Sequence, residues 1–178
     1  MSMAASRPRS RSNAAMKLVL MGVSGCGKSS VGAALAARLG AVYIDGDDLH
    51  PPQNIARMQA GIPLGDEDRW PWLDAVGTRL AGEQGVTIIG CSALKRAYRD
   101  RIREKACGSV RFIHLAGSHA VIARRVAERP GHFMPASLLD SQFAALEPPG
   151  ADEHAVTVDI DQPLDSLVVA IVSAIGEE

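Results

Sequence analysis

The chain is expected to be an α/β protein of three layers, a five-stranded parallel sheet with helices on both faces. Two observations predict this. Short apolar runs of strand length alternate with longer helix-like segments along the chain, and such alternation implies parallel strands joined by helical crossovers. The first run, Met16-Lys-Leu-Val-Leu-Met21, leads directly into Gly22-Val-Ser-Gly-Cys-Gly-Lys-Ser29 and then a helix-like stretch. This order of strand, glycine-rich loop and helix is the context in which G-x-x-x-x-G-K-[ST] means a phosphate-binding loop.

Strands are expected at Lys17–Met21, Ala41–Ile44, Val86–Gly90, Arg111–Leu115 and Ala155–Asp159, each a short apolar run. The first helix is expected over Ser29–Leu39, an Ala- and Leu-rich stretch stopped by Gly40. Pro52–Ala60 opens on a proline suited to a first helical turn, and Asp66–Gly82 opens on three acidic residues that suit a helix N-terminus. Lys95–Cys107 and His119–Arg129 follow the third and fourth strands, the latter ending at Pro130-Gly131. Ala136–Ala145 and Pro163–Ile175 complete the set.

At 178 residues the chain is long enough for one well-filled core, and residues 16–178 are expected to form a single domain. A net charge of -1 gives no overall attraction to nucleic acid or anionic membrane, and no apolar run approaches a membrane span. Cys26, Cys91 and Cys107 form no C-x-x-C pair, which points to a reducing, cytoplasmic setting. Residues 1–15 carry Arg7, Arg9 and Arg11 without the apolar stretch of a secretory signal, and are expected to be a disordered basic leader.

The loop residues Gly22, Val23, Ser24, Gly25, Cys26, Gly27, Lys28, Ser29 and Ser30 are the nucleotide-binding candidates. Backbone N–H groups and a helix N-terminus suit phosphate oxygens, Lys28 suits the β- and γ-phosphates, and Ser29 suits Mg²⁺. The expected ligand is therefore a nucleoside triphosphate such as ATP, with Mg²⁺. After the second strand comes Asp45-Gly-Asp-Asp-Leu-His-Pro51. Crowded carboxylates are costly unless a cation sits among them, so this segment is either part of a metal and acceptor site or a solvated acidic loop. The segment is expected to be extended, with Asp45 and Asp47 projecting to one side and Asp48 to the other.

Lys95, one of only four lysines, closes Cys91-Ser-Ala-Leu-Lys95 after the third strand, and Arg99 is expected on the same helix face. This cluster suits an anionic substrate or the phosphate in transfer; the alternative is a charged helix surface. Arg57, Asp66, Asp68 and Arg69 fall where a substrate lid could form. Trp70 and Trp72 are expected to pack, and Cys91 is expected to be a buried small hydrophobe. Arg125 and Arg129 share a helix face and can neutralise a transferring phosphoryl group. In Gly131-His-Phe-Met-Pro135, a hinge-like segment, His132 either caps the preceding helix or belongs to a lid spanning about 125–145.

Gly22–Ser29, Asp45–Pro51, Asn54-Ile55, Asp68-Arg69, Pro71-Trp-Leu73, Cys91–Lys95, Tyr98-Arg-Asp100, Gly131-His-Phe133 and Glu147 through Glu153 together resemble the gluconokinase family, small P-loop kinases of a sugar acid. The likeness runs from about Met16 to the final helix, outside the basic leader. The resemblance implies a P-loop kinase fold with a substrate-binding segment and a lid, and phosphorylation of D-gluconate by ATP to 6-phospho-D-gluconate. It implies that Asp45 holds Mg²⁺ through water and that Asp47 contacts or deprotonates the acceptor hydroxyl. His50, Arg57, Arg69 and Lys95 are then candidates for the gluconate hydroxyls and carboxylate, Arg125 and Arg129 match lid arginines, and Asp161-Gln162-Pro163 falls where such folds contact adenine. A homodimer is also implied.

Two other functions remain to be weighed. A related small-molecule kinase acting on shikimate, a nucleoside or a nucleotide shares the phosphate loop. A GTP-dependent switch requires N/T-K-x-D, and none of the four lysines is followed two residues later by Asp. Asp74-Ala-Val-Gly77 fits D-x-x-G but lies in a helical pattern rather than at a strand end.

Overall fold

In the computed structural model, residues 15–128 and 136–176 are described. Most of the expected leader, together with Arg129, Pro130-Gly131 and His132 of the expected lid, lies outside the described residues. The chain runs β1 (Met16–Met21), α1 (Lys28–Leu39), β2 (Val42–Asp45), α2 (Pro52–Gln59), α3 (Asp66–Gly82), β3 (Val86–Gly90) and α4 (Arg96–Ala106). It continues β4 (Val110–Ala116), α5 (His119–Ala127), α6 (Ala136–Ala145), β5 (Val156–Asp159) and α7 (Leu164–Gly176). The strands form one sheet in the order β2-β3-β1-β4-β5, with every pairing parallel.

β1 is apolar without alternation because it is buried on both faces, as a central parallel strand must be. Leu18 and Leu20 pack with Ile88, Ile113 and Leu115 against Val31 and Leu35 of α1 and Leu167 and Ile171 of α7. Val19 and Met21 pack with Ile89 and Phe112 against Trp72, Leu73 and Val76 of α3 and Ile102 of α4. Two cores therefore sandwich the sheet, and among the described residues no helix is long and apolar enough to cross a membrane.

Register places the chemistry. Leu20 of β1 and Asp45 of β2 both pair with Gly90 of β3, so the carboxyl ends of the three strands stand level. The phosphate loop, the acidic segment and the Cys91–Lys95 turn leave that one edge, where ligands bind in open parallel sheets. The expected extended course of Gly46–Leu49 is corrected: these residues form a 3-10 turn. A second 3-10 turn, Ala151–Glu153, also had no counterpart in the sequence pattern.

Candidate active site

The loop between β1 and α1 is shaped for an anion. Gly25 has φ 85°, and a Cβ there would sit 2.5 Å from Val126 Cγ2, so both conformation and space demand glycine. Gly25, Gly27, Lys28 and Ser29 line a cavity of about 310 Å³, with Ser24 and Val126 at its rim. The first-turn N–H groups of α1 have no intrahelical acceptor and face this end of the helix. The Lys28 ammonium donates to the carbonyls of Gly22 (3.0 Å) and Val23 (3.2 Å), which holds it across the loop. Not every loop candidate faces the cavity. Val23 and Cys26 are buried in the core, and the N–H groups of Gly22 and Cys26 donate to Ser92 and Val23 carbonyls. These residues support the loop from beneath, and Ser30 lies exposed on α1.

Asp45 and Asp47 line the same cavity from the opposite side. The 3-10 turn makes this possible: the Asp45 carboxylate accepts from the Asp47 N–H at 3.0 Å, and Trp72 Nε1 donates to Gly46 O at 2.7 Å. Burial, reinforced by the Asp45 charge, pushes Asp47 above the usual carboxylate range against the pull of Lys28; Asp48 adds to the rise. One hydroxyl (Ser29) and two crowded carboxylates beside a phosphate loop form a donor set that suits Mg²⁺, which binds through few protein oxygens plus phosphates and water.

Beyond the acidic turn lies a wall of aromatic and basic groups. His50 stacks on Trp72 with ring centroids 4.2 Å apart, and Asn54 Nδ2 lies 3.3 Å from His50 Nδ1 and donates to Asp68 O at 2.7 Å. Burial, helped by the Arg69 charge, lowers the His50 pKa to about 4, so the ring is neutral at pH 7. Lys95 bonds both oxygens of Asp66 at 3.0 and 2.9 Å and lies 5.4 Å from the Tyr98 ring centroid. The Tyr98 hydroxyl also donates to Asp66, and Arg69 approaches the other contributors at 6.0 Å from the Tyr98 centroid. Arg57 pairs with Asp68 at 3.6 Å.

Arg99 is not on this wall, which corrects its place among substrate candidates. Its side chain is wholly buried, bonded to both oxygens of Glu153 at 2.7 Å and to the Ala93 and Leu94 carbonyls. Lys95 stands before the first turn of α4 rather than on its face, so the four-residue spacing does not bring the two together. On the far side of the loop, the Arg125 guanidinium donates to Ile160 O and lies 3.9 Å from where a Gly27 Cβ would be. Gln162 donates to Asp159 O at 2.6 Å in the turn before α7, with Pro163 following it.

A family model described as an AAA domain matches residues 18–149. The thermoresistant gluconokinase of Escherichia coli (strain K12) is 47% identical over 161 residues, covering 88% of this chain and 91% of that one. The thermosensitive gluconokinase of the same organism is 49% identical over 150 residues, covering 82% and 80%. A crystal structure of a gluconokinase from Sinorhizobium meliloti 1021 superposes with a TM-score of 0.84 at 50% identity, over 91% of this chain and 92% of that one. The chain belongs to the gluconokinase family. Shikimate kinase from Bacteroides thetaiotaomicron, at 17% identity and a TM-score of 0.65, shares the fold alone.

Several side chains of this gluconokinase-family site escaped the sequence reasoning. Tyr43 lines the cavity with its ring against α1 and β3, where a Cβ at Gly32 or Gly90 would fall within 2.1 and 2.5 Å of it. Asp66 and Tyr98 are legible in the sequence, but not their bond to each other or that of Asp66 to Lys95, and Gln142 reaches the phosphate loop from α6. Alternation along β2 identifies Tyr43 as facing opposite to Ile44 but not what it faces. For Gln142, 118 residues from its partner in sequence, no local signal exists.

Proposed function

We propose that this chain is a gluconokinase that transfers the γ-phosphoryl group of ATP to the 6-hydroxyl of D-gluconate, releasing ADP and 6-phospho-D-gluconate. The supporting observation is that a phosphate loop and an acidic turn line one cavity, with a basic and aromatic cluster beyond the turn, in a member of the gluconokinase family. The loop N–H groups and Lys28 hold the triphosphate. Mg²⁺, when bound by Ser29 and through water by Asp45, offsets the negative charge of the phosphates. Asp47 takes the proton of the 6-hydroxyl as that oxygen bonds to the γ-phosphorus and the bond to ADP breaks. Its raised pKa is the direction a general base requires. Little covalent chemistry is asked of the protein; positioning and charge stabilisation supply the rate.

Arg125, beside the phosphate loop, neutralises charge on the transferring group; Arg129 is the sequence candidate for the same role, and Gln162 and Pro163 are the candidates to contact adenine. On the acceptor side the neutral His50 ring suits a sugar hydroxyl rather than a carboxylate. The cations left for the gluconate carboxylate are Lys95 and Arg69, with Arg57 and His132 further candidates for its hydroxyls. An ADP-release assay with gluconate, shikimate and AMP as acceptors tests the reading. Turnover with gluconate alone is expected, and turnover with shikimate or AMP but not gluconate overturns it.

A further inference from the structure

The donor loop and the acceptor wall are built by different elements, yet one short stretch touches both. Near the end of α6, Gln142 accepts from the Ser24 N–H at 2.6 Å and donates to Ser24 Oγ at 3.1 Å. Five residues on, Glu147 N donates to Leu94 O at 2.9 Å, and the Glu147 carboxylate accepts from the Arg96 N–H at 2.7 Å. Leu94 and Arg96 flank Lys95. We infer that Gln142 and Glu147 form a two-armed brace, Gln142 fixing the phosphate loop and Glu147 fixing the Lys95 turn, which makes each a positioning residue for its own side of phosphoryl transfer.

Both anchored points are ones the chain does not stabilise by itself. Ser24 precedes Gly25, whose φ of 85° belongs to a loop of glycines with little conformational preference of their own. Two hydrogen bonds from one amide to one residue fix its backbone and its hydroxyl together. At the other end Ala93 has φ 42°, a conformation that non-glycine residues rarely adopt. No side chain of α4 caps its own N-terminus, and Glu147 supplies the acceptor from a distance. Leu139 and Phe143 anchor α6 in the core that carries the loop, so the brace has a fixed base.

The inference rests on the gluconokinase reading for its acceptor arm alone. The test is calorimetric binding of a non-hydrolysable ATP analogue together with steady-state kinetics, on the full chain. Gln142→Ala is expected to weaken analogue binding about tenfold, the scale of one or two lost hydrogen bonds, with KM for gluconate within about twofold. Gln142→Glu, which keeps the acceptor for the Ser24 N–H, is expected to keep the melting temperature and the gluconate KM while binding the anionic analogue less well. Glu147→Ala is expected to raise KM for gluconate about tenfold with analogue binding unchanged, and Glu147→Gln, which still accepts from Arg96, to restore it. Three results overturn the brace: tighter analogue binding in Gln142→Ala, equal losses on both sides accompanied by a lower melting temperature, or no change in either variant. If the unaltered chain does not turn over gluconate, the gluconokinase reading fails, and the analogue-binding arm still decides the role of Gln142.

Discussion

The proposed donor and acceptor halves of the site are built in opposite ways. The donor half is one continuous loop, Gly22–Ser29, whose recognition groups are mostly backbone N–H donors at the start of α1. The acceptor half is collected from the Asp45–His50 turn, α2, α3 and the start of α4, and its groups are side chains held by one another. A backbone-coded site needs only local conformation and can be read as a string. A side-chain-coded site exists only once packing has chosen which charges meet ligand and which meet each other.

The largest test of this contrast is Lys28→Ala. It removes the ammonium held across the phosphate loop, and kcat is expected to fall by about a thousandfold or more while the thermal melt is retained. An unchanged kcat breaks the assignment. Asp47→Asn comes next, with an expected loss in kcat of about a hundredfold or more and little change in ATP binding. In the parent enzyme the rate is expected to rise with pH through the Asp47 pKa, which burial holds above the ordinary carboxylate value, and to level off beyond it. The variant should lose that rising limb, and a loss confined to ATP binding assigns Asp47 to the metal instead.

Below these lies a stability test of the scaffold behind the acceptor half. Arg99 holds Glu153 well below its normal pKa of 4.5, at about 2. Because the folded value is depressed, the pair contributes its full stability above about pH 4.5 and loses it as pH falls towards 2. The amount is on the order of 3 kcal/mol. Glu153→Gln is expected to lose a similar amount at pH 7 by leaving Arg99 buried without a counter-charge, and to flatten the acid limb of denaturant stability. His50, with its folded pKa lowered to about 4, adds to acid sensitivity in the same direction, since its neutral form is favoured above pH 6.5 and lost as pH falls through 4. The smallest effect on the fold is expected from Lys95→Met. Its ion pair with Asp66 is substantially exposed, so stability should change by less than about 1 kcal/mol, while KM for gluconate rises about tenfold. Equal losses in stability and KM would move Lys95 from the site to the scaffold.

Much of the framework was legible. Asp66–Gly82, Val86–Gly90 and Ala136–Ala145 begin and end where composition places them, because each is bounded by residues that stop its own conformation. Val110 and Ala116 extend the fourth strand by one residue at each end, within the fraying expected of such boundaries. The acidic segment curls rather than extends because of a tertiary bond from Trp72 and one short-range cap by Asp45, and the first of these has no local signal. Arg99 lies in what reads as any basic helix, and a buried Glu153, 54 residues away, decides where it points.

The sequence by itself determined that a triphosphate loop follows a doubly buried strand, since apolar continuity, glycines and one lysine are local requirements of chain geometry. It also carried enough of the family's strings for the gluconokinase likeness to emerge. Tertiary structure alone decided which basic groups pair with which carboxylates, that Tyr43 lines the cavity, and that Gln142 bonds the phosphate loop while Glu147 bonds the Lys95 turn. Those outcomes depend on contacts between residues far apart in the chain, where competition among charges for burial and partners is settled only when the core closes.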